Sequence, residues 1–405
     1  MANSILTIDM ITRELMFQLE NNLTFTKQVN RNYDDRFGQT GAKIGDVLTI
    51  RLPPLFQGRT GRVANVEALT EQSVALTLDT QFGVDLDFTS KDLELSIDDF
   101  SERFLSSAAA TIANKIDLDG LALYKDVPNT VGTPATVPNA LLTYLNAGVK
   151  LSQESVPRGS NMRAMVINDQ MEATIVDALK GLFHATTEVE RQYREGNMGV
   201  TAGFKWSSDQ NVATHTSGTF TTGSTPLVNG ADQTGTSLIT DGWAVSTLVL
   251  KEGDVFTIGD DVYAVNPRSR ESTGVLRQFV VTADATSDGS GDLTIPIFPA
   301  ITTTGAYQTV TATPDDGDVI TPLGAELTAS PQGLAFHRDA FVLGMADLPL
   351  PMGTHQASRI SDEQLGVSMR MIWDFDARND LFLCRTDVLY GWVTARPQLA
   401  CRVAS

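Results

Sequence analysis

The feature that most constrains the fold is a series of short apolar segments in the middle of the chain. Between residues 215 and 325 such segments recur about every ten residues, a spacing typical of a small all-β barrel or sandwich. They lie at 245–250, 255–258, 262–265, 276–281 and 293–297. The stretch contains 13 acidic and four basic residues, a net charge of −9, and shows no helical periodicity. Because mixed helix and strand patterns flank it on both sides, the sequence predicts a β-domain inserted into an α+β chain.

The N-terminal region predicts an amphipathic helix over 8–23. Its apolar residues recur at three- and four-residue spacings, which places them on one helix face: Ile8, Ile11, Leu15, Leu19 and Leu23. A polar segment with three glycines follows at 30–45. A helix separated in this way is typical of an arm, and it needs a partner surface to bury its apolar stripe.

Residues 47–95 change to the period-two pattern of strands. Strands are predicted at 47–52 and 73–79, separated by about twenty residues that contain Gly58, Gly61, Arg59 and Arg62. Connections of this length are uncommon unless they have a function. The sequence therefore predicts an extended hairpin.

A long helix is predicted over 97–125. It begins after a capping-box pattern at 96–99, and apolar residues follow at four-residue steps: Phe100, Phe104, Ala108, Ile112 and Ile116. At 1.5 Å per residue this helix is about 40 Å long. Further helices are predicted at 139–153 and near 175–179, the latter capped by Asn168 or Asp169. Strands are predicted at 165–167, 334–343, 366–373 and 388–395.

Composition excludes several classes of protein. The chain has 49 acidic and 30 basic residues and a formal charge of −19, whereas a dedicated nucleic-acid binder needs clustered cations. Its only cysteines, Cys384 and Cys401, cannot form a disulfide framework. No apolar run reaches 18 residues, and the N-terminus lacks the pattern of a signal peptide. We therefore expect an intracellular protein that does not enter the membrane.

The sequence offers no active site. Its four histidines, His184, His215, His337 and His355, lack the spacing of metal ligands, and the nucleophile motif Gly-x-Ser-x-Gly is absent. Residues 284–295 partly match a calcium loop, but Ile295 stands where a bidentate glutamate is required. We therefore expect no catalytic residue, cofactor or metal, and favour a structural or binding role.

Three stretches resemble the major capsid proteins of tailed double-stranded DNA phages, in particular the short-tailed Salmonella phage type with an inserted β-domain. The first is KEGDVFTIGDDVYAVNP at 251–267, which continues as TGVLRQFVVTA at 273–283. The second is LAFHRDAF at 334–341 and the third is DVLYGWVTARP at 387–397. The order of the predicted elements matches this family along essentially the whole chain.

The resemblance implies the Hong-Kong-type capsid fold, an α+β architecture with an inserted antiparallel β-barrel. Mapped onto this chain, it gives the following parts: an N-terminal arm at 1–36; a peripheral domain at 37–138 with an extended loop at 50–75 and a spine helix at 97–125; an axial domain at 139–213 with its return at 327–350; the inserted barrel at 214–326; and C-terminal peripheral strands at 351–405.

The resemblance also implies a function. Such a protein forms hexamers and pentamers in an icosahedral virion shell, assembled in the bacterial cytoplasm around a scaffolding protein and expanding as DNA enters. A portal protein is a further implied partner. Two alternatives stay open from the residues alone. A tail-tube or decoration protein would explain the β-rich segment but not the long helix, and an enzyme would need a carboxylate pair that cannot be located.

Charge suggests which residues make contacts. Arg51, Arg59 and Arg62 concentrate positive charge in the extended loop of an acidic chain, so they are candidates for contact with a neighbouring subunit. The alternative is a solvated loop tip.

The arm helix carries its own candidates. Asp9, Glu14 and Glu20 give it an acidic side that could meet a basic scaffold segment, or could simply be a solvated face. Weak, non-specific contact with packaged DNA is expected through Lys27, Arg31 and Arg36.

Overall fold

The structure is a computed structural model that describes the following residues of the 405-residue chain: 8–31, 47–64, 66–67, 71–89, 106–159, 162–179, 199–220, 225–354, 356–362 and 366–405. The chain divides into two compact units. One comprises Met1–Arg51, Ser73–Gly120 and Phe341–Ala395, and the other comprises Leu52–Gln72, Leu121–Ala340 and Arg396–Ser405.

The described residues contain four α-helices: α1 Ile8–Asn22, α2 Ser106–Leu121, α3 Leu141–Gln153 and α4 Asp169–Leu179. Short 3-10 helices occur at Thr26–Gln28, Ala122–Asp126 and Pro397–Leu399. The predictions for α1, α3 and α4 are confirmed, and the Asn168 side chain caps α4 by accepting a hydrogen bond from Met171 N at 2.8 Å. Helix α2 and the 3-10 turn after it match the C-terminal part of the predicted spine helix, whereas its predicted start at 97–105 lies outside the described residues.

The strands before the inserted segment are β1 Val47–Leu52, β2 Gln72–Thr77, β3 Thr80–Thr89, β4 Thr130–Gly132, β5 Arg163–Ile167, β6 Val200–Thr201, β7 Phe204–Ser208 and β8 Thr214–Thr216. Those within it are β9 Leu227–Val228, β10 Gly235–Asp241, β11 Leu248–Leu250, β12 Val255–Ile258, β13 Tyr263–Val265, β14 Ser272–Leu276, β15 Phe279–Val281, β16 Ala285–Thr286, β17 Leu293–Ile301 and β18 Ile320–Pro322. After it come β19 Ala329–His337, β20 Phe341–Met345, β21 Gln356–Asp362, β22 Val367–Asp376, β23 Leu381–Thr394 and β24 Ala400–Ala404.

The first unit is built on an antiparallel sheet with the order β20-β23-β22-β21, and β3 also pairs with the long strand β23. Helix α1 contacts β21 and β22 and buries Ile11, Leu15 and Leu19. The surface that the arm was expected to need is thus supplied by its own chain.

A buried carboxylate ties the arm to the spine helix. Asp117 of α2 accepts backbone hydrogen bonds from Thr24, Phe25 and Thr26 at 2.7, 3.2 and 3.0 Å, and a fourth from the Thr26 hydroxyl at 2.6 Å. Burial raises the pKa of Asp117, and these hydrogen bonds oppose the shift. The turn after α1 is therefore fixed by one side chain that is 91 to 93 residues away in sequence.

The second unit contains a mixed sheet with the order β4-β24-β19-β5-β7-β6, with β8 pairing the far end of β19. Pairs β24–β4 and β5–β7 are parallel, and the others are antiparallel. Helix α3 packs on this sheet with Tyr144, Ala147 and Leu151 buried. This matches the predicted mixture of helix and strand.

The inserted segment forms a β-barrel. Six strands follow the order β18-β12-β15-β17-β10-β9, and a bridge between Leu227 and Val319 joins the two ends of the sheet. The barrel has its own hydrophobic core, whose main members all lie between residues 220 and 320 and include Leu238, Phe256, Ile258, Phe279, Val281 and Ile295. The predicted fold class, including the inserted barrel, is confirmed.

Two strand predictions are wrong in the same way. The segment 276–281 is not one strand, because β14 ends at Leu276 and β15 begins at Phe279. The segment 334–343 is also divided, between β19 and β20, by a turn in which Ala340 N donates to His337 O at 2.8 Å. In both places the apolar run continues on either side of polar residues at which the chain turns. The contacts that fix these turns leave no trace in the apolar periodicity of the sequence.

Candidate functional site

The extended loop is held in shape by an acidic residue of its own. Strands β1 and β2 pair, and the carboxylate of Glu67 accepts hydrogen bonds from Gln57 N and Gly58 N, both at 2.7 Å. Gly58 and Gly61 have φ values of +74° and +104°, a region that glycine enters without a steric penalty. The loop therefore has a defined local structure at its base.

The three predicted arginines are all exposed, but they lie in different places. Arg51 is on β1, whereas Arg59 and Arg62 share the loop tip, where Arg59 Nη1 donates to Gly61 O. Val63 and Val66 nearby are 84% and 92% exposed. The loop thus presents positive charge and apolar side chains together to solvent.

The predicted scaffold-contact residues are placed only in part. Glu14 is exposed on α1 and accepts a hydrogen bond from Gln18 Nε2 at 3.0 Å. The side chains of Asp9 and Glu20 lie outside the described part of the structure. Among the residues expected to approach DNA, Lys27 and Arg31 are half-buried, and Arg36 lies outside the described residues.

Helix α3 presents a second apolar face that the sequence reasoning missed. Leu142, Leu145 and Val149 are exposed on the side away from its buried residues. Their spacing of three and then four residues is itself a helical signal, so this face could have been found from sequence. An exposed apolar stripe of this kind is typical of a protein-protein contact.

The inserted barrel is attached to the sheet of the second unit through buried polar contacts. Glu154, just after α3, forms an ion pair with Arg277 at 2.5 Å, and the two side chains are only 6% and 3% exposed. The side-chain amide of Gln278 pairs with both backbone groups of Thr130, each at 3.0 Å. These partners are 123 and 148 residues apart, so sequence offers no local signal for them.

A second polar cluster also joins the inserted barrel to the sheet of the second unit. The Tyr124 hydroxyl lies 3.1 Å from His215 Nδ1, and His215 Nε2 lies 2.8 Å from Asp254 Oδ1. Buried Arg402 donates to Gly253 O at 2.7 Å. Burial raises the pKa of Tyr124 to about 12 and lowers that of Arg402 to about 10. Because both ring nitrogens of His215 have partners within this cluster, the arrangement serves as a structural link.

Among the residues that the structure describes, no group of three or more His, Cys, Asp or Glu side chains is arranged to hold a metal ion. Among the same residues, no helix is long and apolar enough to cross a membrane.

Comparisons with known proteins agree with this architecture. The model of the family described as "P22 coat protein - gene protein 5" matches residues 1–402. The solved capsid of Ralstonia phage GP4 is 7% identical and has a TM-score of 0.50, with 95% of this chain and 91% of that chain covered. At such low identity this likeness shows the fold alone.

A solved structure from Mycobacterium phage Che8 is 12% identical, with 94% and 90% coverage and a TM-score of 0.48. The capsid of cyanophage P-SCSP1u is 11% identical, with 93% and 88% coverage and a TM-score of 0.44. None of the curated proteins compared with this chain matches it.

Proposed function

This chain belongs to the P22 coat protein family, and from that premise we propose how its copies join. It is a major capsid protein, a structural part of the virion that assembles with copies of itself into the icosahedral shell. The alternative of a tail-tube or decoration protein is wrong, because the coat-protein family model covers nearly the whole chain.

The proposed contact is between the extended loop of one subunit and an acidic surface of its neighbour, within hexamers and pentamers. The observation that carries it is the exposed loop tip, where Arg59 and Arg62 stand beside two exposed valines. The chain has a net charge of −19, so a second copy offers many acidic side chains. One exposed ion pair contributes only about 0–1 kcal/mol, but a shell repeats it in every subunit. Arg51, at the base of the loop, is proposed to contribute to the same contact.

The test is charge reversal at the tip, Arg59→Glu with Arg62→Glu. A matched control reverses two exposed arginines elsewhere, Arg268→Glu with Arg378→Glu, which changes the net charge equally. Light scattering and electron microscopy should show slower and less complete shell assembly for the tip variant only. Equal rates and yields for both variants would contradict the proposed contact.

A basic segment of a scaffolding protein is the proposed partner of the arm, through Asp9, Glu14 and Glu20. Its attraction should weaken as salt screens the charges. We expect Glu14→Lys with Glu20→Lys to reduce scaffold uptake, measured by co-sedimentation, without lowering the melting temperature. Asp260→Lys with Glu271→Lys is the charge-matched control, and equal loss of uptake in both variants would refute specific contact with the arm.

Further partners follow from the role of a capsid protein. A portal protein and packaged DNA are proposed, the DNA through weak contacts with Lys27, Arg31 and Arg36, and assembly is placed in the bacterial cytoplasm. A chain with this net charge neutralises few phosphates and releases few counterions on binding DNA, so binding should be weak. Submicromolar, salt-resistant binding of duplex DNA by the free subunit would contradict this.

A further inference from the structure

The turn between β13 and β14 holds an arginine in the left-handed backbone region. Arg270 has a φ of +62°, and its N–H donates to Asn266 O at 3.0 Å. Residues with a Cβ atom enter this region at a steric cost that glycine avoids. An arginine kept at such a position points to a contact made by its side chain.

The side chain of Arg270 reaches the base of the extended loop. Burial lowers the pKa of Arg270, and the negative charge of Glu67 opposes that shift. The Nη2 of Arg270 donates to Phe56 O at 3.4 Å. Its Nε and Nη1 are shielded from solvent and form no hydrogen bond within the described part of the chain. Glu67 in turn holds the amides of Gln57 and Gly58. The guanidinium and the carboxylate thus bond to adjacent backbone groups of the loop, at Phe56 and at Gln57 and Gly58.

The turn that carries Arg270 is itself anchored. Asn266 Nδ2 donates to Gln153 O at 2.8 Å, and Asn266 Oδ1 accepts from Ser155 Oγ at 2.7 Å. The same oxygen accepts from the backbone N–H of Arg268 and Ser269, both at 3.0 Å. Arg270 therefore projects from a turn fixed to the end of α3.

We propose that Arg270 is a positioning residue through which the inserted barrel holds the extended loop in a defined orientation before assembly. Through the carbonyl of Phe56, next to the amides that Glu67 holds, Arg270 restrains the loop just before its tip, while the tip itself stays free for a second copy of the chain. A loop ordered in advance loses less conformational entropy when it binds. The barrel thereby acts on subunit contacts without forming them itself.

The test removes the side chain without adding backbone strain. Arg270→Gly suits a φ of +62°, and Arg268→Ala on the same turn is the control, because the Arg268 side chain is exposed and makes no hydrogen bond or ion pair with the described residues of the loop. The full-length chain is kept dilute and unassembled, and trypsin cleavage after Arg59 and Arg62 is followed over time. We expect cleavage at least about fivefold faster in Arg270→Gly only, since a charge-assisted contact that orders the loop is lost.

Amide hydrogen exchange supplies a second readout at Gln57 and Gly58, which should exchange faster by a similar factor. If the core strands β12 and β15 also exchange faster in Arg270→Gly, then Arg270→Asn decides, because asparagine tolerates the left-handed region and its short side chain cannot reach Phe56 O. Loop cleavage and exchange at control rates in Arg270→Gly with an unchanged core, or in Arg270→Asn, would overturn the proposal. Because no neighbouring subunit is present, these results are independent of the proposed contact at Arg59 and Arg62.

Discussion

Replacing Arg277 with methionine tests how the inserted barrel is attached to the rest of the second unit. Arg277 and Glu154 lie 2.5 Å apart and are almost fully buried. The substitution leaves the carboxylate of Glu154 buried without its partner. Removing one member of a buried pair typically costs about 3–5 kcal/mol, most of which is the penalty of the remaining charge.

Lys150 reduces the expected loss of stability toward the lower end of that range. Burial lowers the pKa of Lys150, Arg277 lowers it further, and Glu154 raises it. Without Arg277, the ammonium of Lys150 is better able to compensate Glu154. We therefore expect a loss of about 3 kcal/mol, which at a urea slope of about 3 kcal/mol per molar lowers the unfolding midpoint by about 1 M.

The assay is urea unfolding of the unassembled chain, read by amide exchange in the barrel and in the sheet that contains β19. The double variant Arg277→Met with Glu154→Leu should recover most of the loss, because an apolar pair of similar volume can replace a buried ion pair. The difference between single and double variants isolates the pair in a double-mutant cycle. A midpoint within 0.2 M of wild type for Arg277→Met (about 0.6 kcal/mol at the same slope) would refute the view that this pair is buried and structurally required.

Three further predictions concern the two units separately. Burial alone would raise the pKa of Asp387, but hydrogen bonds from Arg385 and Arg370 outweigh burial and hold that pKa below its usual value. The stability that this carboxylate adds to the folded state is therefore present above about pH 3.9 and is lost as the pH falls through the lower pKa that Asp387 has in the folded protein. Asp387→Asn should accordingly make the melting temperature depend less on pH in the acid range. Gly391→Ala should destabilise the first unit by about 3 kcal/mol, the upper end of the usual cost of overpacking a core, because the carbonyl oxygen of Thr77 on β2 occupies the space that a Cβ atom would need; a melting temperature within 1 °C of wild type would contradict this. The fragment 214–326 should melt cooperatively with dispersed amide signals, since its core is self-contained; a collapsed or disordered fragment would show that the barrel needs its surroundings.

Much of the architecture could be predicted because its signals are local. Strand β12 coincides with the predicted segment 255–258, and α3 begins within two residues of the predicted start. In each case the signal, a short apolar run in β12 and apolar residues at helical spacing in α3, is a property of consecutive residues. The breaks at Arg277 and near Ala340 have no such signal, because the chain turns there to satisfy distant partners.

From the sequence, the candidate site could be recognised only by its composition, as a concentration of arginines. The concentration of Arg59 and Arg62 on an acidic chain singled out two side chains that the structure shows to be exposed, and their contact with a neighbour stays a prediction. The roles of Glu67 and Arg270 were not foreseeable, since Glu67 bonds to backbone amides of the loop and Arg270 bonds to a backbone carbonyl 214 positions away. The same holds for Asp117, whose isolated position in a helix gives no sign that it fixes the arm.

Electron microscopy of the full-length chain, assembled together with the proposed scaffolding protein, tests most directly whether this chain forms the shell. We expect closed icosahedral shells built from hexamers and pentamers of this subunit, with barrel density for residues 214–326 in every copy. A chain that remains monomeric at high concentration with scaffold present, or that forms only open tubes or stacked rings, would contradict the assignment of this chain as the shell-forming capsid protein.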